Sequence, residues 1–230
     1  MLSFPAPTRV VQVPAVIVAG GAGRRLGGCV KCLLPLAGEA LLTHLLRRLE
    51  GQAAPVALNS NDPAELFAAW PLPVLADSLP GRPGPLAGIL AALDWAASLG
   101  AAQVLTVSGD TPFLPLNLVS RFTASLAEAE RRDGGMRAGV AWAKGDLGAR
   151  GDGDIEAGGR LNPLIGLWPT RAADLLRRDL QAGLRRATDW AVRIEAVPVE
   201  FDEAALFNIN TADDLALAER RISGPHPRAR

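Results

Sequence analysis

The chain has 230 residues, with 24 lysines and arginines against 24 aspartates and glutamates, and 49% of it is hydrophobic. Balanced charge argues against general binding to nucleic acid or a membrane surface, and no apolar run is as long as a membrane span. Two cysteines make no disulfide framework, and Met1 to Pro14 lacks a charged region followed by an apolar core, so a single cytoplasmic α/β domain over residues 1–230 is expected.

After a loose lead-in over residues 1–14, the β-branched run Val16 to Val18 predicts a strand buried on both faces. It breaks into a loop holding Gly20, Gly21, Gly23, Gly27 and Gly28, with Arg24, Arg25 and Lys31 in or just after it. Glycine lets backbone N–H groups turn inward and a ligand approach closely, and neighbouring cations suit a polyphosphate. A tight strand-to-helix turn with solvated charges reads equally well at this point. The spacing excludes a P-loop, because Lys31 is followed by Cys32 and not by Ser or Thr. It also excludes the Gly-x-Gly-x-x-Gly dinucleotide fingerprint, since Gly21, Gly23 and Gly27 are one residue too widely spaced. Cys29 and Cys32 have C-x-x-C spacing, which suits a redox pair or two small residues filling a loop. With only His44 and His226 in the chain, they build no zinc site.

Ala40 to Leu49 predicts a helix ended by Gly51, and Val56 to Leu58 a short strand running into Asn59. Ala64 to Trp70 reads as a helix, with Asp62 as its cap and Pro63 at its first position. Val74-Leu75 is a strand feeding Asp77 and a turn-rich loop that ends at Pro85. A helix over Leu86 to Ser98 follows, then a strand over Val104 to Val107 that runs into Ser108-Gly-Asp-Thr-Pro112, then a helix over Leu116 to Glu130. Met136 to Trp142 reads as a strand. Asp146 to Gly159 reads as a flexible insertion, serving as a lid or as tolerated surface. Leu161 to Trp168 is a strand, Arg171 to Gln181 a helix stopping at Gly183, and Ile194 to Val199 a strand. Thr211 with Asp214 opens a capped helix over Ala212 to Ile222, and residues 224–230 form a frayed tail.

This alternation predicts a mostly parallel sheet covered on both faces, with ligands beyond the carboxyl ends of its strands. The glycine loop, Asn59, Asp77 and Asp110 all fall at such ends. Asp110 suits an Mg2+ ion or a capped turn. Asn59 and Asp77 suit a ligand or loop hydrogen bonds. Asn208 and Asn210 flank Ile209 at strand spacing, so both side chains can share one face at a helix N-terminus. Arg185 and Arg186 suit a phosphate or a solvated helix end.

Ala19-Gly20-Gly21, then Arg24-Arg25-Leu26-Gly27-Gly28, then Lys31 and Leu33-Leu34, resembles the signature loop of the MobA family, the nucleotidyltransferases related to molybdenum cofactor guanylyltransferase. Ser108 to Pro115 resembles that family's metal-binding segment, and Gly84-Pro-Leu-Ala-Gly-Ile89 its segment after the nucleotide aspartate. Phe207 to Leu215 resembles its Asn-x-Asn-Thr motif, and Leu180 to Arg186 a segment on the pterin side. The resemblance runs from Val16 to Leu215 and is weakest over residues 131–160.

The resemblance implies a three-layer α/β/α Rossmann-like nucleotidyltransferase fold. It implies transfer of GMP from GTP to the terminal phosphate of molybdopterin, with release of pyrophosphate. Arg25, Lys31 and Asp110 would be catalytic, with Asp110 holding Mg2+. Val18, Ala19, Gly20, Gly21, Lys31, Asn59, Asp77 and Asp110 would contact GTP, and Asn208, Asn210, Arg185 and Arg186 would lie on the pterin side. The implied partners are GTP, molybdopterin, molybdenum-insertion proteins and molybdoenzyme chaperones, met by a monomer. The nucleophile is already an anionic phosphate, so no general base is required of a chain with two histidines, neither near a motif. The Ala-Gly-Gly form of the loop resembles the guanylyl branch, whereas cytidylyl relatives tend to Ala-Ala-Gly.

Two positions depart from the family pattern. Val30 stands where an aspartate usually precedes the loop lysine, and Asn162-Pro163 where His-Pro is frequent. They leave open a transferase using CTP or another acceptor such as a sugar phosphate, and a non-catalytic carrier of nucleotide or pterin.

Overall fold

The structure is a computed structural model and describes residues 12–19, 22–23, 29–79, 84–135, 137–144, 154–155 and 159–224. The predicted glycines 20, 21, 27 and 28, Arg24, Arg25 and most of the 146–159 insertion lie outside these residues.

Strand β1 (Val13–Val18) is the axis of the molecule. Its residues alternate, with Ala15 and Ile17 entering one core cluster and Val16 another on the opposite face of the sheet. Next come α1 (Leu41–Leu49), β2 (Ala53–Asn59), β3 (Val74–Leu75), α2 (Pro85–Ser98), β4 (Gln103–Ser108), α3 (Leu118–Asp133), β5 (Gly139–Lys144), β6 (Gly159–Pro169), α4 (Ala173–Gln181), α5 (Ala187–Arg193), β7 (Val197–Phe201) and α6 (Ala212–Ser223). The sheet order is β7-β5-β6-β4-β1-β2-β3, with the short strand Asp154–Ile155 pairing with β6. β1 pairs in parallel with β2 and β4, β2 with β3, and β5 with β7, while β6 runs antiparallel to both neighbours. The mostly parallel sheet therefore stands as predicted.

Helices cover both faces, giving the expected three layers. Leu42, Leu45 and Leu49 of α1 join Phe122 and Leu126 of α3 on one side. Leu86, Ile89, Leu90 and Leu93 of α2 join Leu176 of α4 and Trp190 of α5 on the other. A smaller cluster of Leu36, Leu41, Ile209 and Ala218 seats α6 against the start of α1. Fully burying each of these leucines contributes roughly 1.5–3 kcal/mol. Among the described residues no helix is long and apolar enough to cross a membrane.

Several local expectations need correction. The helix expected over Ala64 to Trp70 is a single 3-10 turn, Ala64–Phe67, with Pro63 as N-cap and no side-chain cap bond. Asp62 instead accepts from the Ser60 hydroxyl at 2.9 Å. Pro71 and Pro73 stop the helix, since the residue before a proline is driven out of the α region. The helix α5 lies where none was predicted, and the final strand begins three residues later than expected, at Val197. Seven residues with only Ala187, Trp190 and Ala191 buried carry too little periodicity to stand out. The helix expected from Leu116 starts at Leu118 and continues to Asp133, where Gly134 at φ 73° ends it.

Candidate active site

The carboxyl ends of β1, β2, β3 and β4 lie side by side, joined beyond the regular ladder by backbone bonds. Ala19 N–H donates to Asn59 O at 2.9 Å, Gly109 N–H to Val18 O at 2.9 Å and Ser60 N–H to Leu75 O at 3.0 Å. Val18 and Ala19, both buried, thus sit between the Asn59 and Asp110 segments. Beyond β1, Ala22–Gly23 pairs antiparallel with Cys29–Val30. That pairing precedes Lys31, which lies at the end of β4.

Lys31 is where three distant segments converge. Its ammonium donates to Asp110 Oδ2 at 3.0 Å and to Asn210 Oδ1 at 2.6 Å. The other Asp110 oxygen accepts from the buried Ser108 hydroxyl at 2.6 Å. The side chains of Lys31 and Asp110 are 23% and 14% exposed, open enough for a ligand yet sheltered enough for the pair to matter electrostatically. An ammonium has three donors, and two of them are taken up by Asp110 and Asn210 among the described residues.

Asn208 and Asn210 both line one cleft. Ile209 between them is fully buried, and its N–H donates to Asp110 O at 2.9 Å. Asn208 Oδ1 accepts from the buried Thr111 hydroxyl at 2.7 Å and from Asn162 Nδ2 at 3.3 Å. Asn162 therefore reaches the site through Asn208. Asn162, Asn208 and Asn210 line an open cleft of about 630 Å³, together with Arg160, Arg185, Arg186 and Thr188. Arg185 is already engaged, because its guanidinium closes the end of α4 by donating to Leu180 O at 2.6 Å and Leu184 O at 2.7 Å.

Asn59 and Asp77 meet at the opposite edge. Asn59, 1% exposed, donates through Nδ2 to Asp77 Oδ1 at 3.1 Å and to Leu75 O at 3.0 Å. Sequence reasoning missed Asn61, which clasps the same aspartate. Its Nδ2 donates to Asp77 Oδ2 at 2.7 Å, and its Oδ1 accepts from Asp77 N–H at 2.9 Å. Gly88, inside the segment Gly84 to Ile89 marked by the resemblance, gains its reason here: a methyl group would meet Val18 Cγ1 at 2.7 Å and collide with the Asn59 amide oxygen. The Asn-Ser-Asn spacing was the available signal for Asn61.

Val30, which stands in place of an aspartate, packs against the larger apolar cluster. Lys31 takes its orientation from Asp110 and Asn210 instead. Cys32 is fully buried, and that burial pushes its thiol up to about 12, so it stays protonated and unreactive. The side chain of Cys29 lies outside the described residues, as do Gly20, Gly21 and Arg25.

The donors present suit a small hard cation. Asp110 offers a carboxylate and Asn210 an amide oxygen, and among the described residues no cluster of three or more Asp, Glu, His or Cys forms a protein-only cage. Mg2+ is ordinarily held in this way, by one or two carboxylates with substrate phosphates and water completing the shell.

The sequence profile of the MobA-like NTP transferase domain matches residues 15–196. The chain belongs to the MobA-like NTP transferase family. A family relative from Bradyrhizobium sp. (strain ORS 278), named molybdenum cofactor guanylyltransferase, is 40% identical over 214 residues, covering 90% of this chain and 92% of that protein. One of the same name from Mesorhizobium japonicum is 42% identical over 219 residues, covering 92% and 96%. The fold of this family member is shared with the molybdopterin-guanine dinucleotide biosynthesis protein A from Archaeoglobus fulgidus, at TM-score 0.67, 24% identity and coverage of 93% and 100%. It is shared as well with 2-C-methyl-D-erythritol 4-phosphate cytidylyltransferase from Thermus thermophilus, at TM-score 0.62, 20% identity and coverage of 90% and 97%.

Proposed function

We propose that this protein transfers GMP from GTP to the terminal phosphate of molybdopterin, forming the guanine dinucleotide cofactor and releasing pyrophosphate in the cytoplasm. The relatives of the same name support the substrates. The observation that carries the chemistry is the meeting of Lys31, Asp110 and Asn210 at one strand end, beside a cleft large enough for a second substrate.

The reaction needs no proton abstraction, since a phosphate oxygen is the nucleophile. Positioning and charge neutralisation therefore supply the rate. Lys31 meets the triphosphate and stabilises charge accumulating on the departing pyrophosphate. Arg25, together with Gly20 and Gly21, belongs to the same loop and is assigned to the nucleotide. Asn59, Asn61 and Asp77 form the base end of the nucleotide site, with Val18 and Ala19 lining the path between. Asp110 would hold Mg2+, with Asn210 beside it; bound there, the ion would supply neutralisation of phosphate charge. Asn208, Asn210, Arg185 and Arg186 face the acceptor.

The test is pyrophosphate release with Mg2+ and molybdopterin, from GTP and from CTP. GTP-dependent release that Asp110→Ala abolishes supports the proposal. Release from CTP alone keeps the mechanism and overturns the base assignment. GTP binding with no release from either nucleotide leaves a carrier.

A further inference from the structure

The Phe207–Asn210 segment belongs to no helix or strand, yet it must hold Asn210 Oδ1 at 2.6 Å from the Lys31 ammonium. Two backbone anchors are available to it. One is Ile209 N–H on Asp110 O. The other is the Asp214 carboxylate, whose Oδ2 accepts from Asn210 N–H at 2.9 Å and from Thr211 N–H at 2.8 Å. Asp214 also closes the capping box of α6, in which its own N–H donates to Thr211 Oγ1 at 3.1 Å. Two distinct jobs therefore meet in one residue. The box stabilises the helix end, as such boxes do. The bond to Asn210 lies outside the box, because Asn210 precedes the N-cap.

We propose that Asp214 is a positioning residue for the transfer reaction, its carboxylate fixing the backbone of Asn210 so that the Asn210 amide oxygen orients the Lys31 ammonium. This rests on the catalytic role given to Lys31 above. An amide oxygen orients an ammonium without adding a counter-charge. Asp110, by contrast, both orients and neutralises. Asn210 is thus a second, uncharged acceptor for Lys31 beside Asp110, and Asp214 is what keeps Asn210 there.

Thr211→Ala supplies the control, because it breaks the other half of the capping box and leaves the Asn210 bond untouched. The chain has only two lysines, Lys31 and the exposed Lys144, so trace acetylation followed by mass spectrometry reads Lys31 against an internal reference. Asp214→Ala is expected to raise the Lys31-to-Lys144 labelling ratio several-fold and to lower kcat for pyrophosphate release by about 10-fold or more, the scale of loss for a displaced catalytic group. Thr211→Ala is expected to lower Tm by about 2–4 °C, as loss of one cap does in a chain of this size, with labelling and kcat near wild type. In an Asn210→Ala background, adding Asp214→Ala should change kcat little further. Equal labelling and equal kcat in the Asp214→Ala and Thr211→Ala proteins would reduce Asp214 to a helix cap and overturn the proposal. A labelling contrast in a protein whose wild type releases no pyrophosphate would uphold the positioning role and overturn the proposed reaction instead.

Discussion

Lys31 and Asp110, 79 residues apart in the chain, stand 3.0 Å apart at the end of the fourth strand. Neither is paired by accident of the surface. The pairing of Ala22–Gly23 with Cys29–Val30 precedes the lysine, and a buried serine two residues before the aspartate fixes the carboxylate. If the pair binds the triphosphate and its cation, Lys31→Ala and Asp110→Ala each lower kcat/KM for GTP by at least about 100-fold, the cost of removing one preorganised electrostatic group. Chelating the divalent cation should stop wild-type turnover as completely. Steady-state pyrophosphate release checks both statements, and wild-type rates in either variant would dismiss the pair as structural.

Asp77 offers two carboxylate oxygens, each accepting from one asparagine amide, from Asn59 on one side and Asn61 on the other. A carboxylate so held presents two acceptors side by side. Guanine has two adjacent N–H donors on its pairing edge, whereas cytosine has one beside an acceptor. Asp77→Ala is therefore expected to cut the kcat/KM preference for GTP over CTP by about 10-fold or more. Asn61→Ala should do the same to a smaller degree. Unchanged selectivity in both variants would move base recognition to another part of the site.

Gly88 makes room for Asn59. A β-carbon there meets Val18 Cγ1 at 2.7 Å and collides with the Asn59 amide oxygen. Both neighbours are buried, so neither yields cheaply. Gly88→Ala should cost about 1–3 kcal/mol of stability and weaken GTP binding together. Urea unfolding and nucleotide titration measure the two effects, and a stable variant with full GTP affinity would show that the neighbours move aside freely.

Cys32 carries no redox chemistry on this reading. Burial holds its thiol protonated, with a pKa near 12. It should resist thiol reagents at pH 8 until the protein unfolds, and Cys32→Ser should lower Tm while leaving kcat within about two-fold of wild type, since the group touches no substrate. Rapid native-state labelling at Cys32 would contradict the prediction.

Asp214 ties stability to acid pH. Partial burial pushes its carboxyl upward, but the Asn210 and Thr211 donors and the nearby Lys31 charge outweigh that and hold it below the ordinary 3.8. A carboxyl depressed on folding adds stability above its unfolded value and loses it as pH falls through the folded one. Asp214→Asn should therefore be less stable than wild type at pH 6, with the gap closing as pH drops below 3.8. Thermal melts across that range decide it, and a gap that stays constant with pH would rule out the linkage.

Local pattern was enough to place most of this molecule. The β-branched runs at Val16 and Val104, the glycine punctuation and the capping box at Thr211 are short-range features, and they gave the strand–loop–helix alternation, the parallel sheet and the edge where ligands gather. The signature segments likewise marked Lys31, Asp77, Asp110 and Asn210 without any fold in hand. What the sequence could not supply is partnership. Asn210 lies 179 residues from Lys31, and only the sheet order, with the first strand between the second and the fourth, brings those segments within bonding reach. The same holds for Val30 turning into the core, for Asn61 closing on Asp77 and for Gly88 beneath Asn59. Hydrophobic periodicity fixes which face a residue presents to its own element's neighbours. Contacts between the ends of different elements follow from strand order and register, which tertiary packing alone decides.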